Sequence, residues 1–152
     1  MREPRTARLT VSAYAFVLRH AESEPATEVC GLIGGRRGVM ETVYPVANVA
    51  ALQRHRFEMD GRGQLRAMRE MSVSGETWLA IYHSHIEAPA LPSTIDLDQH
   101  AYPEAIYMIV APATVEAERV RAFLIRDRSV RELPLEIVAP ARNLDVSNLQ
   151  QC

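Results

Sequence analysis

The chain has 152 residues, 47% hydrophobic and 24% charged, a balance that suits one globular domain with one core. A formal net charge of −2 leaves no electrostatic footprint for nucleic acid. No stretch has the apolar length to cross a membrane, and the polar start "MREPRTARLT" lacks the apolar run of a signal peptide, so a cytoplasmic location is expected. Cys30 and Cys152 make neither a disulfide framework nor a C-x-x-C pair, so any metal here must use histidine and carboxylate ligands.

In chain order, "LTVSAYAFVLRHAESE" places Val11, Tyr14, Val17 and Leu18 at helical spacing, with Thr10 or Ser12 as cap and an end before Pro25. "EVCGLIGGRRGVMETVYPV" predicts two strands, 29–34 and 38–44, joined by the glycine-bearing turn "GGRRG". "VANVAALQRHRFEMD" predicts irregular chain leading into a short strand at 55–59. Residues 61–73 predict a second helix with Leu65, Met68 and Met71 near one face. "TWLAIYHSH" is apolar almost to its end and predicts a buried central strand. A short helix over "STIDLDQHAY" follows, then three strands in "AIYMIVA", "ERVRAFLIRD" and "SVRELPLEIV", with "RDRS" as a turn. Residues 1–138 therefore predict a single α/β or α+β domain, and residues 139–152 a tail.

The chemistry concentrates in "IYHSHIEAPALPSTID", Ile81 to Asp96. Alternate residues of a strand share a face, so His83 and His85 project together and Ser84 points away. Two imidazoles held at a strand end can ligate one ion, and a catalytic zinc needs a third ligand plus an open position. Asp96 is the carboxylate best placed for it, with Asp98 and Glu87 as competitors. Ser93 and Asp96 also read as a helix capping box, which needs no metal. A metal-activated water wants a base, and the distant candidate is Glu28, at the mouth of the strand "VCGLIGG". His20, His55 and His100 read as surface histidines. Trp78, Met68 and Met71 read as core, and Cys30 as an inert packing thiol.

H-x-H, seven residues, S, two residues, D resembles the signature of the JAMM/MPN-domain metalloproteases, here His83, His85, Ser93 and Asp96. "EVCGLIGG" resembles the family's E-x-C-G-x-x-x-G segment, with Glu28, Cys30, Gly31 and Gly35 in register, and the resemblance spans about residues 10–138. It implies a mixed, curved β-sheet flanked by helices, the cytidine-deaminase-like MPN fold. It implies that His83, His85 and Asp96 hold one Zn2+ per chain, that Glu28 is general base and then general acid, and that Ser93 donates to the tetrahedral oxyanion. Ile86 departs from the proline usual after the second histidine.

The short chain is similar to the bacterial stand-alone type. That implies hydrolysis of an amide bond at the C-terminal Gly-Gly tail of a small ubiquitin-like sulfur-carrier protein, releasing cysteine or a short extension. Two alternatives stay open: a deconjugating isopeptidase for ubiquitin-like modifiers, and a non-catalytic MPN interaction domain. The carrier's tail is expected to lie extended along a sheet edge. Residues 48–75, with Arg54 and Arg56, are candidates for docking the carrier. A homodimer is compatible with the sequence; no nucleic-acid or membrane partner is expected.

Overall fold

The computed structural model describes residues 2–99 and 101–139. His100 and residues 140–152, which hold Cys152 and nearly all of the expected tail, lie outside the described residues. The first element is a strand that the sequence reading does not predict, β1 (Ala7–Thr10). Ala7 and Leu9 are fully buried while Arg8 is exposed, but four residues are too few to show a period. Thr10 closes the strand and caps helix α1 (Val11–Ser23), its Oγ1 accepting from the Ala13 amide at 3.1 Å. Ala13, Val17 and Ala21, four residues apart, are the buried stripe of α1.

Strands β2 (Cys30–Arg36) and β3 (Val39–Val46) form the predicted hairpin. Arg37 and Gly38 join them at φ 55° and 74°, the left-handed pair that a two-residue turn requires. The strand predicted at 55–59 is absent. Residues 51–55 form turns, and only Met59 pairs, as an isolated bridge with Asn48. The Asn48 side chain replaces a ladder there. Its Nδ2 donates to the carbonyls of Glu28 (2.9 Å) and Arg56 (3.0 Å), and its Oδ1 accepts from the amides of Ala50 and Glu58, both at 3.0 Å.

Helix α2 (Gly61–Val73) starts on Asp60, whose Oδ2 accepts from the Gly63 amide at 3.0 Å. Its buried face is Ala67 and Met71, whereas Leu65 is 64% exposed and Met68 is also exposed. Met71 is thus the one predicted residue that the helix buries, and it packs onto Gly34, where a Cβ would lie 3.1 Å from its sulfur.

Strands β4 (Thr77–Ser84) and β5 (Ile106–Val110) pair in parallel, with the short helix α3 (Thr94–Gln99) between them in sequence. Strand β6 (Val120–Arg126) then turns through Asp127 and Arg128, both at positive φ. The predicted strand over 129–138 is two, β7 (Ser129–Leu133) and β8 (Leu135–Val138), broken at Pro134, which has no amide to donate to a ladder.

That break determines the shape. The sheet runs β7-β6-β5-β4-β2-β3-β1-β8, so β7 and β8 are its two edges, yet one residue separates them. Two Cα steps of about 3.8 Å cannot bridge an open sheet, so the edges must meet and the mixed sheet curls nearly closed. The Ala7 amide donates to the Pro134 carbonyl at 2.8 Å at this seam.

Alternation along β4 supplies both cores. Ala80 and Tyr82 pack with α1, Ile33 and Met108; Ile81 packs with Met71 of α2, Leu32, Ile109 and Phe123. Gly31 lies beneath the Tyr82 ring. A Cβ there would sit 2.6 and 2.9 Å from ring carbons and against the Tyr44 carbonyl. Gly31→Ala is therefore expected to destabilise the fold by about 2–3 kcal/mol. The readout is the urea midpoint at constant m-value, and an unmoved midpoint would contradict the packing argument.

Candidate metal and catalytic site

The site forms where β2 begins and β4 ends. Cys30 pairs with His83 across the two antiparallel strands, and the Ser84 amide donates to the Val29 carbonyl at 2.9 Å. One further step of that register sets Glu28 across from His85. Ser84 points to the opposite face, as predicted, and its Oγ accepts from the Val29 amide at 2.8 Å, which fixes the approach to β2. On the other flank, the His85 amide donates to the Val110 carbonyl at 2.9 Å. Both imidazoles are thus held by interior strands.

Asp96 arrives from the first turn of α3. Its Oδ1 lies 3.1 Å from His83 Nε2 and its Oδ2 lies 3.1 Å from His85 Nε2, while the two Nε2 atoms are 3.2 Å apart. Ligand atoms of all three residues lie within 4.8 Å of one another. The capping box is present too: the Ser93 amide donates to Asp96 Oδ2 at 2.8 Å and Ser93 Oγ accepts from the Asp96 amide at 3.1 Å. The cap aims the carboxylate, so the structural and chemical readings describe one arrangement. The competitors are elsewhere, Asp98 paired with Arg128 and the exposed Glu87 with Arg54 at 3.0 Å.

This donor set fits a metal. His85 Nδ1 lies 2.8 Å from the Pro89 carbonyl, which accepts only if Nδ1 carries a proton, so Nε2 is the ring nitrogen turned to the cluster and left to ligate an ion. Two imidazole nitrogens and one carboxylate are a three-ligand zinc set that leaves a position open. Phe57 stacks on His83 with centroids 4.5 Å apart and planes 20° from parallel, which fixes the second ring. The sequence reading singles out neither Phe57 nor the Pro89 carbonyl for this role; the stacking partner comes from an irregular loop whose course no periodicity reveals.

The electrostatics separate the two carboxylates. Burial pushes Glu28 up to about 7; His85 opposes that shift and Asp96 adds to it. Glu28 is 6% exposed, and its Oε1 is buried without a hydrogen-bond partner among the described residues. Burial also opposes ionisation of Asp96, but hydrogen bonds from His83 and His85 outweigh it and hold this carboxyl well below the usual range. For His85, burial acts against the proton while the bonds to Asp96 and the Pro89 carbonyl prevail and raise it. Cys30 is fully buried, its thiol pushed up to about 12 by burial, which matches an unreactive packing role. His20 is not a free surface residue. Its Nδ1 lies 2.7 Å from the hydroxyl of the buried Tyr82, which needs a polar partner.

Fold and site together define an α/β protein with a His-His-Asp cluster able to hold a metal ion and a buried carboxyl set across from it. Residues 10–126 match the family of prokaryotic homologs of the JAB domain, and the chain belongs to that family. It is 30% identical over 115 residues to a desampylase of Haloferax volcanii, covering 70% of this chain and 83% of that one. It is 30% identical over 124 residues to a CysO-cysteine peptidase of Mycobacterium tuberculosis, covering 80% and 84%. A Desulfitobacterium hafniense protein solved in solution superposes with a TM-score of 0.78 at 32% identity, over 89% of this chain and 94% of that one. The His-His-Asp cluster is typical of JAMM metalloproteases and consistent with catalytic activity. No described helix is long and apolar enough to cross a membrane.

Proposed function

We propose that the chain is a zinc-dependent hydrolase that cleaves an amide bond at the Gly-Gly end of a small ubiquitin-like sulfur-carrier protein, releasing cysteine or a short extension. The observation that carries this reading is the buried Glu28 carboxyl, its Oε1 without a hydrogen-bond partner among the described residues, set across from a three-ligand cluster. His83, His85 and Asp96 would hold the ion. Bound there, zinc would polarise the scissile carbonyl and acidify a water. Glu28, raised toward neutrality, takes a proton from the attacking water and returns it to the leaving amine. Ser93 Oγ accepts from the Asp96 amide, which leaves its own proton free to donate to the oxyanion. An interaction domain would gain nothing from a buried carboxyl with an unsatisfied oxygen at this point.

The CysO-cysteine peptidase among the relatives supports the carrier-adduct substrate. Gly-Gly offers no side chains to hold, so the tail must be gripped through its backbone. Strand β4 is interior, three strands from β7 and four from β8. The backbone groups at hand are therefore those of the 86–92 loop rather than a sheet edge. Incubating zinc-loaded protein with a carrier–cysteine adduct is expected to shorten the adduct by one cysteine, read by mass. An adduct left intact at full zinc occupancy would refute the reading. The desampylase relative favours a second reading, deconjugation, which predicts cleavage of a lysine-linked conjugate and sparing of the linear adduct.

A further inference from the structure

Two grooves flank the His-His-Asp cluster, and only one of them carries a basic side chain. One, of about 250 Å3, touches His85 and Ser84 and carries Glu22 and Glu24 on its wall. The other, of about 330 Å3, is lined by Phe57, Gln99 and Tyr107, residues that also line the small cleft at His83 and Asp96, and it reaches Arg56. Its walls are braced. Tyr107 Oη accepts from the amides of Ala101 (3.1 Å) and Tyr102 (3.0 Å), and Gln64 Nε2 donates to the Tyr102 hydroxyl at 3.1 Å.

Arg56 is the unexplained group. Among the described residues its buried Nε has no hydrogen-bond partner and its side chain makes no ion pair, although Glu58 lines the same groove. Its neighbour Arg54, by contrast, is paired with Glu87. A half-buried guanidinium without an anion is costly, and the fork of donors matches a carboxylate.

We infer that Arg56 receives the α-carboxylate of the residue released from the carrier, so that the enzyme selects a free C-terminal extension over an internal or lysine-linked chain. This rests on the hydrolase reading above. The groove is of a size for one or two residues and has the Arg56 guanidinium in its lining, which suits a short leaving group with a terminal carboxylate. The acidic groove on the His85 side would repel a terminal carboxylate and is left for the carrier's side of the bond.

Binding tests this apart from hydrolysis. Zinc-loaded Glu28→Gln protein is titrated calorimetrically with synthetic peptides ending Gly-Gly-Cys, as free acid and as amide. The acid is expected to bind about 10- to 100-fold tighter. Adding Arg56→Gln should erase that ratio without weakening the amide, and Arg56→Lys should keep part of it. A second pair of amidated peptides, with Asp or Ser ahead of Gly-Gly, identifies the other source of a carboxylate. Equal or undetectable binding of acid and amide, a ratio that survives Arg56→Gln, or an Arg56 effect confined to the Asp peptide would overturn the inference. Failure of wild-type protein to cleave the carrier adduct would refute the hydrolase reading instead.

Discussion

Glu28→Gln is expected to lower kcat for the carrier adduct by about 10²–10⁴-fold, the usual worth of a positioned proton carrier, while zinc stoichiometry stays at one per chain. Glutamine keeps the shape but can neither take nor return a proton. The same change should stabilise the metal-free protein. Glu28 has its folded-state value raised from 4.5 to about 7, so the folded chain prefers the neutral acid. The stability this favours is complete below the unfolded value and is lost as pH rises through about 7. Glutamine has no charge to bury, so at pH 8 the variant should melt about 2–8 °C higher, and the gain should vanish toward pH 4.5. A bound cation pulls Glu28 down from about 7, so the acidic limb of the wild-type pH–rate profile should lie below 7. A variant that keeps wild-type turnover would remove Glu28 from the chemistry. One that loses zinc would make its role structural.

Asp96→Asn is expected to weaken zinc binding by more than the ~10–100-fold that loss of a supporting residue costs, because the change falls on a proposed ligand itself. Both Asp96 oxygens face imidazole nitrogens at 3.1 Å, so the amide would turn a donor toward one of them. The clearest readout is the thermal shift on adding zinc. A ligand at 100 times its Kd stabilises by about 2.7 kcal/mol, and a site weakened ~100-fold or more loses nearly all of that. Asp98→Asn is the matched control. It lies two residues on, pairs with Arg128 at the surface and sits outside the cluster, so its zinc-induced shift should equal that of the wild type. Equal shifts for both variants would mean that the metal lies elsewhere.

How far the sequence revealed this molecule depends on the range of the signal. The hairpin at Arg37–Gly38, the central strand into His83 and His85, and both long helices were legible because each carries its own period or turn chemistry. Strand β1 was not, since its four residues are stabilised by pairing with β3 and β8, from distant parts of the chain. The strand expected at 55–59 is replaced by loop because one side chain, Asn48, satisfies backbone groups that a strand would otherwise pair. The closure of the sheet hung on Pro134, visible in the sequence but silent about which edges it joins.

The site divides in the same way. His83, His85 and Asp96 lie within one short stretch, and the structure brings them together. Glu28 reads in sequence as a distant candidate base at the mouth of its strand, a role that the family resemblance implies, and it is set opposite His85 by strand register, which no local pattern encodes. Phe57 on His83 and the Pro89 carbonyl on His85 are long-range and backbone contacts, and residue types alone do not announce them.

The most direct test titrates zinc into chelator-treated protein and follows carrier-adduct cleavage by mass. Activity should be absent in the stripped protein, rise in proportion to zinc added, and break at one zinc per chain. Cleavage that survives chelation, or that stays absent at full occupancy, would contradict the assignment of this His-His-Asp cluster and Glu28 to a hydrolase.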